Sequence, residues 1–197
     1  METGHPTVNF NNSITEVVKN MKYSMTKETK AQLNAFLNGL ASVIIEKAIF
    51  LSQNSFGQTK KPGKTLSSRE IQAATKLVVP TEFAQFLVEH GTGAVTKYVS
   101  SQKKGRTTRT KKAGGSHSVS RVETLIRTYW SGRLSELSSV YLAGVLDFMT
   151  NELIDMAGRN AKKNKRQRIT LKDMREIISD DPELRKIMSV TGWSFLG

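Results

Sequence analysis

Residues 66–71 (LSSREI) and residues 169–174 (ITLKDM) follow one pattern: apolar, hydroxyl, any residue, basic, acidic, apolar. A lysine-rich loop precedes each copy, and a long amphipathic helical pattern precedes each loop. An internal repeat is the sequence signature of one supersecondary unit that is used more than once. The chain is therefore expected to contain the same helical unit twice, and this repeat decides the fold.

Both copies carry the pattern of a capping box, in which a hydroxyl and an acid three residues later satisfy free amides at a helix start. Ser67 and Glu70 form the first pattern, and Thr170 and Asp173 form the second. The first box predicts a helix that is closed by Pro80. The second predicts a helix of about the same length.

Two longer helices are predicted from apolar residues that recur at three- and four-residue steps. The first covers Lys27–Gln53, roughly 25 residues and about 37 Å long, and the second covers Ser139–Asn160. Shorter helices are expected at 14–21 with Ser13 as the cap, at 119–128, after Pro80, and as a last turn at 182–188. Gly91 and Gly93 are expected to loosen the middle of the helix after Pro80. No strand is predicted.

These patterns divide the chain into four segments. We expect a flexible N-terminal arm at 1–12, a first unit with a C-terminal helix at 13–101, a basic linker at 102–118, and a second unit with a short C-terminal tail at 119–197. The linker holds six basic residues and no acid, a composition that buries too little apolar surface to fold alone.

The long helices raise a packing problem, because two short helices cannot cover the apolar stripe of a helix of 25 residues. We therefore expect the two long helices to cross, so that each unit covers the stripe of the other. Gly39 and Gly144 lie in the middle of these helices, where each costs about 1 kcal/mol relative to alanine. A close backbone approach at the crossing would account for them, and tolerated surface glycines are the alternative.

The composition points to a polyanionic partner. The 197 residues include 30 Lys and Arg against 17 Asp and Glu, which gives a net charge of +13. This balance favours nucleic acid first and an anionic membrane surface second. The absence of cysteine excludes disulfides, cysteine-type zinc fingers and thiol catalysis. No apolar run is expected to approach the roughly 18–20 residues of a membrane span, and an intracellular protein without a signal peptide is expected.

Catalytic patterns are missing from the sequence, so no enzymatic activity, cofactor or metal is predicted. His5, His90 and His117 are isolated, and each is expected to be a surface or loop residue rather than a metal ligand. No phosphate-binding loop and no nucleophile elbow occurs. Trp130 and Trp193 are expected to serve local packing.

Three stretches carry a resemblance to a known family. LSSREIQAATKLVVP (66–80) and GTGAVTKYVSS (91–101) resemble 2B-type core histones, and SSVYLAGVLDFMTNELIDMAGRNAKKNKRQRIT (138–170) resembles 2A-type core histones. Two different histones in one chain resemble the histone doublets of giant DNA viruses of the Marseillevirus kind. The resemblance implies an all-α fold in which two tandem histone folds pair as an intramolecular handshake heterodimer.

The resemblance also implies a function. A histone doublet is a structural DNA-packaging protein that wraps DNA without sequence specificity, together with two copies of a type 3–type 4 histone partner. Histone octamers wrap 146–147 bp, and we expect roughly 120–150 bp here. Such particles would lie in the virion and in the infected host cell, in a viral factory or the nucleus. The alternatives are a histone-fold transcription factor subunit that binds a defined promoter and a basic RNA-binding or ribosome-associated protein.

Two sets of site residues follow from the resemblance, with ordinary solvated surface charges as the alternative for each. The expected DNA-binding residues are Arg121, Arg127, Arg133, Arg168, Lys27, Lys64 and Thr65. The expected acidic patch, which would dock basic peptide segments of a partner, comprises Asp147, Glu152, Asp155, Asp181, Glu183, Glu82 and Glu89. Partner histones are expected to dock at about Phe50 to Leu77. Three residues depart from the family pattern. Pro62 and Gly63 are expected to weaken DNA binding at their loop, and Pro182 is expected to weaken the acidic patch.

Overall fold

A computed structural model describes residues 7–54, 65–101 and 107–192 of the chain, and these residues are mostly helical, as predicted. The helices in the first part are α1 (Asn11–Asn20), α2 (Lys27–Gln53), α3 (Ser68–Val78) and α4 (Thr81–Ser100). Those in the second part are α5 (Arg109–Ala113), α6 (Val119–Tyr129), α7 (Glu136–Lys163), α8 (Leu171–Asp180) and α9 (Pro182–Thr191).

Two very short strands correct the prediction that the chain has none. Strand β1 (Thr65–Leu66) pairs in parallel with β2 (Arg133–Leu134). A further isolated parallel bridge joins Met25 to Ile169. Segments of one or two residues are too short to show a period of two in the sequence, and each partner lies far away along the chain.

These pairings fix the direction of the two long helices. At one end, the segment before α2 lies beside the segment after α7. At the other end, β1, which follows α2, lies beside β2, which precedes α7. The helices α2 and α7, of 27 and 28 residues, therefore run antiparallel, each about 40 Å long. The two sets of loop contacts lie at opposite ends of them.

One apolar core contains residues from both parts of the chain. Leu37 and Leu40 of α2 are fully buried in the same cluster as Leu146 and Met149 of α7. Helix α3 packs on both α2 and α7, α4 packs most extensively against α7, and α9 returns to α2. The two long helices thus do not lie in separate cores.

The helix signals in the sequence located every helix that a cap or a long apolar stripe defined, although α7 extends three residues beyond the predicted 139–160 at each end. Helix α2 has the predicted bounds, and both capping boxes are present. Their backbone bonds measure 2.8 Å from the Ser67 amide to Glu70 and 2.9 Å from the Thr170 amide to Asp173. The predicted cap Ser13 was wrong, because α1 begins at Asn11 and Ser13 is buried within it.

The mid-helix glycines behave differently from the expectation. Helix α4 runs through Gly91 and Gly93 without a break. A Cβ atom on Gly144 would lie 2.7 Å from the Cβ of Ala94, so the predicted close approach exists, but its partner is α4 rather than the other long helix. At Gly39 the nearest atom, the carbonyl oxygen of Thr191, would be at an ordinary 3.8 Å.

The predicted flexible arm and the predicted basic linker are both partly ordered. Within the predicted arm, residues 7–10 are bound to α2, and α1 begins at Asn11; residues 1–6 lie outside the described residues. Within the predicted linker, α5 packs against α4, α6 and α7. Its Ala113 is buried, and its Arg109 binds Glu123 at 2.6 Å. Contacts with distant helices supply the stability that the local composition lacks.

Helix α2 also bears on the expectation about membrane spans. Among the described residues it alone is long and apolar enough, by length and composition, to cross a bilayer. In this fold 56% of its most apolar 18-residue window is buried inside the protein. The apolar residues of α2 therefore build the shared core.

Candidate nucleic-acid interface

The first loop pair joins residues 24–27 to residues 167–169. The Thr26 amide donates to the Ile169 carbonyl at 3.1 Å, and the Ile169 amide donates to the Ser24 carbonyl at 2.8 Å. Lys27 directly follows Thr26, and Arg168 directly precedes Ile169. Both side chains are exposed. The pairing therefore brings together two predicted DNA-binding residues that are 141 positions apart in the sequence.

The second loop pair forms at the other end of the long helices. Thr65 is the register partner of Arg133, and the Ser135 amide donates to the Leu66 carbonyl at 2.9 Å. Both Thr65 and Arg133 are exposed. The structure thus also brings these two predicted residues together, whereas Lys64 lies outside the described residues.

The loop between α6 and α7 supports the second loop pair. Arg127 donates from Nη1 to the Gly132 carbonyl at 2.7 Å. Trp130 donates from its indole nitrogen to the Arg133 carbonyl at 2.9 Å, and its ring lies over Gly132, where a Cβ atom would come within 2.6 Å. Trp130 therefore serves local packing, as predicted.

A third basic position, the helix-start site, lies at the beginning of α6. Ser118 caps this helix by accepting from the Arg121 amide at 3.4 Å. The exposed guanidinium of Arg121 donates to the carbonyl of Asn9, just before α1. The starts of α1 and α6 are thereby joined through one predicted DNA-binding residue.

The electrostatic state of these residues distinguishes them from Arg109, Arg159 and Arg166, and they share it with Arg69 and Arg185. Within the described ranges, no acid forms an ion pair with any of the predicted cationic residues, which are Lys27, Arg121, Arg127, Arg133 and Arg168. In contrast, Arg109, Arg159 and Arg166 each bind a carboxylate. The unpaired cations at the two loop pairs and at the helix-start site can therefore bind phosphates without first breaking an ion pair.

A buried carboxylate holds the backbone of the loop that carries Arg168. Asp173 is fully buried. One of its oxygens accepts from Arg166 Nη2, and the other accepts from the amide and hydroxyl of Thr170 at 2.9 and 2.8 Å. Sequence reasoning identified the capping role of Asp173 but missed Arg166, because nothing local marks which of the loop's basic residues turns inward.

These contacts also set the charge state of the buried acid. Desolvation of its carboxylate raises the pKa of Asp173, but hydrogen bonds from Arg166 and Thr170 outweigh this effect, and the pKa lies below its ordinary value of 3.8. A carboxyl group whose pKa is lower in the folded state stabilises the protein above its unfolded pKa. That stabilisation disappears as the pH falls through the folded pKa.

We accordingly expect Asp173→Asn to reduce the free energy of unfolding by about 1.5–3 kcal/mol at pH 7, the range for hydrogen bonds to charged groups. The difference between wild type and variant should shrink as the pH falls below about 4. Urea unfolding at pH 7 and at a series of acidic pH values measures both. The control Asp155→Asn, in an exposed pair with Arg159, should change stability by less than about 1 kcal/mol. An equal Asp173 effect at every pH would contradict the assignment.

The first loop pair is also supported by an aromatic contact that the sequence did not reveal. The ring of Tyr23 lies directly on Gly158 of α7, where a Cβ atom would overlap it. The ammonium group of Lys162 lies 4.6 Å from the centre of the same ring. A glycine at this position of α7 is therefore a packing requirement of the loop that precedes α2.

The predicted acidic patch is divided between two surface regions. Glu82, Asp181 and Glu183 line one open cavity between α4 and the α8–α9 turn. Asp155 is joined to this cavity through its ion pair with Arg159, which also lines it. These four acids form a group, although two cations, Arg159 beside Asp155 and Lys186 at 3.5 Å from Glu183, already neutralise part of its charge.

The remaining acids lie elsewhere. Glu89 and Asp147 line a groove between α4, α5 and α7 together with Lys97, and Glu152 is half-buried on α7. One oxygen of Asp147 accepts from the backbone amides of Ser116 and His117, each at 2.9 Å. Asp147 is therefore partly engaged in holding the turn before α6.

The histidines lie in different surroundings. His117 lies in the loop before α6, and its side chain is fully buried, with its ring nitrogen Nδ1 2.9 Å from Asp147. His90 is exposed, as expected, and its ring centre lies 4.4 Å from that of Phe148. His5 lies outside the described residues, as does Trp193. Across residues 7–54, 65–101 and 107–192 no group of three or more His, Cys, Asp or Glu could hold a metal ion.

Sequence comparison places part of the chain among curated proteins. A 2A-type histone of Meyerozyma guilliermondii is 35% identical over 91 residues, which are 46% of this chain and 70% of that protein. A 2A-type histone of Lodderomyces elongisporus is 35% identical over 89 residues, 45% of this chain and 68% of that protein. Histone macroH2A1.1 of Capsaspora owczarzaki is 32% identical over 97 residues, 49% of this chain and 26% of that protein. No family model matches the chain.

Proposed function

The chain belongs to the family of 2A-type histones, and from this premise we propose that it is a DNA-packaging histone doublet. In this proposal residues 119–197 are the 2A-like histone fold and residues 13–101 are a 2B-like histone fold. The two folds pair within one polypeptide as a handshake heterodimer. The 2A-type relatives match less than half of the chain, so the assignment of the first fold rests on the 2B-type motifs and on the packing.

One observation carries the proposal: two loop pairs at opposite ends of antiparallel helices each join the first part of the chain to the second. Each loop pair exposes a cation of the second part, Arg168 or Arg133, beside a residue of the first part, Lys27 or Thr65. The helix-start site adds Arg121. Three separate cationic positions on one protein suit a duplex that bends over its surface. Contacts to the DNA backbone position a duplex without reading its sequence.

The fusion of the two folds changes how they associate. Two separate histones must first meet in solution, whereas fused folds pair at a high effective concentration set by the connecting segment. Residues 107–118 of that segment are docked on the folds through α5, and this docking supports a pairing that is present before DNA arrives. We propose no enzymatic activity and no cofactor.

The partners follow from the same proposal. Two copies of the doublet would assemble with two copies of a type 3–type 4 histone partner, docked at about Phe50 to Leu77. In the described part of this segment Phe50 is 50% exposed and Leu77 is 61% exposed, which supports a surface covered by another protein. The group of Glu82, Asp181 and Glu183 is proposed to dock basic peptide segments. The chromatin-like particles are proposed to occur in a virion and in the infected cell.

Nuclease protection tests this function. Reconstitution of the full chain with type 3 and type 4 histones on random-sequence DNA should leave discrete protected fragments of about 120–150 bp, with 146–147 bp as the upper guide. The same histones without this chain are the control, and they should protect shorter fragments. Fragment length should not change with the DNA sequence.

Other results would contradict the proposal. Tight binding to one sequence without discrete protected fragments would instead indicate a histone-fold transcription factor subunit. Preferential binding of RNA in a competition with duplex DNA would indicate an RNA-binding protein.

A further inference from the structure

Two asparagines on α2 bind the chain segment that precedes α1. Asn38 accepts from the Val8 amide at 2.8 Å and donates to the Val8 carbonyl at 2.9 Å, so that one side chain holds both backbone groups of Val8. Asn34, one turn earlier, accepts from the Phe10 amide at 2.7 Å. Asn38 is only 2% exposed, so its side-chain amide is shielded from competing water. We call residues 7–10 the strap.

The strap reaches from the first part of the chain to the second. The side chain of Phe10 is fully buried, and its ring centre lies 5.2 Å from that of His117. Between the two bound residues, the carbonyl of Asn9 accepts from the guanidinium of Arg121. The asparagines, the strap and Arg121 therefore form one continuous chain of contacts.

We propose that the strap positions the guanidinium of Arg121 for phosphate binding, and that Asn34 and Asn38 hold the strap in place. The inference rests on the proposed function, because it assigns Arg121 to the DNA surface. It goes beyond that function by giving α2 asparagines, which do not face DNA, a role at the helix-start site. Asn34 and Asn38 are positioning residues in this account.

The chemistry of the contact suits this role. A free arginine side chain must give up rotamer freedom when it binds, and this loss of conformational entropy weakens binding. A backbone carbonyl fixes the side chain through one of its five N–H donors and, unlike a carboxylate, leaves its charge uncompensated. The guanidinium of Arg121 would therefore already be oriented and fully charged when it contacts a phosphate, and its other N–H groups would be available to donate.

A double-mutant cycle between Asn38 and Arg121 tests the proposal. The full chain and its variants are titrated with a random-sequence duplex at several salt concentrations. Arg121→Ala should weaken binding by about eightfold at 0.1 M salt and reduce the salt slope by about 0.9, as expected for one phosphate contact. In the Asn38→Ala background the same substitution should change affinity by less than about twofold, because the guanidinium is no longer oriented.

Two further variants separate positioning from general stability. Thr75→Val removes a buried hydroxyl on α3 that bonds only to its own helix in the described contacts, and it should leave the effect of Arg121→Ala unchanged. Asn34→Ala removes the bond to the Phe10 amide but keeps the buried side chain of Asn38. It should expose Phe10 to chymotrypsin cleavage and reduce the Arg121 effect, even if Asn38→Ala does not fold.

The outcomes distinguish the inference from the proposed function. If the effects of Arg121→Ala and the asparagine substitutions simply multiply, the strap does not position Arg121 and the inference is overturned. If wild type and all variants bind the duplex equally weakly, the DNA-packaging function itself fails. The inference is supported if Arg121→Ala has a smaller effect on DNA affinity in the Asn38→Ala and Asn34→Ala backgrounds but its full effect in the Thr75→Val background.

Discussion

Replacing Lys27, Arg121, Arg127, Arg133 and Arg168 together by glutamine is expected to lower the affinity for duplex DNA by about four and a half orders of magnitude at 0.1 M salt. Each phosphate contact contributes about 0.9 to the slope of log affinity against log salt, and five contacts therefore contribute about 4.5. Titration of a random-sequence duplex across a range of salt concentrations measures both the affinity and the slope. The melting temperature should fall only modestly, because all five side chains are exposed, although Arg121 and Arg127 each lose a hydrogen bond to a backbone carbonyl.

The control must remove the same charge from another surface. Five exposed cations outside the loop pairs and the helix-start site serve this purpose: Lys76, Arg159, Lys172, Arg185 and Lys186. Three of them already face a carboxylate. Their replacement by glutamine should lower affinity far less and leave most of the slope. An equal loss in both variants would mean that net charge, and not these positions, governs binding.

The features of the fold that could be predicted from the sequence are those determined by residues close together along the chain. The bounds of α2 follow from its own apolar stripe and from Thr26, which caps it. The two capping boxes involve residues three positions apart. In each case the physical cause and its effect lie within one helical turn, so that no knowledge of the tertiary structure is needed.

The parts that could not be predicted depend on contacts between distant segments. His117 is buried beside Asp147, 30 residues later, which bonds to its ring nitrogen and its backbone amide. Residues 7–10 are ordered because Asn34 and Asn38 bind them across 24 and 30 residues. An exposed polar segment and one that is bound by a distant amide have the same local composition, and only the assembled fold distinguishes them.

The positions of the expected site residues could be inferred from the sequence better than the contacts that support them. The described residues expected to bind DNA lie at the loop pairs and at the helix-start site, and their binding of DNA stays a prediction. The supports Arg166, Tyr23 and Asn38 were missed, because a basic, an aromatic and an amide residue in loops and on a helix carry no distinctive pattern. The same loop contacts that pair the two parts of the chain also position the cations, so loss of pairing should also impair binding.

The pairing of the two parts can be tested at the crossing of α4 and α7, one helix from each part of the chain. A Cβ atom on Gly144 would lie 2.7 Å from the Cβ of Ala94, 2.9 Å from the carbonyl oxygen of His90 and 3.2 Å from the Cα of Gly91. Two of these atoms belong to the backbone, which cannot rotate away. Gly144→Val is therefore expected to cost about 3 kcal/mol and to lower the melting temperature by about 6–12 °C.

Gly93→Ala on the same crossing helix is the matched control, because no atom lies within 4 Å of the Cβ position there. This substitution should stabilise the protein by up to about 1 kcal/mol, since alanine is the better helix former. Differential scanning calorimetry of both variants should show shifts of opposite sign, each in a single transition, because residues of both helices lie in one core. Two separate transitions in Gly144→Val, with only one of them shifted, would show that the two parts unfold independently and would contradict a shared core.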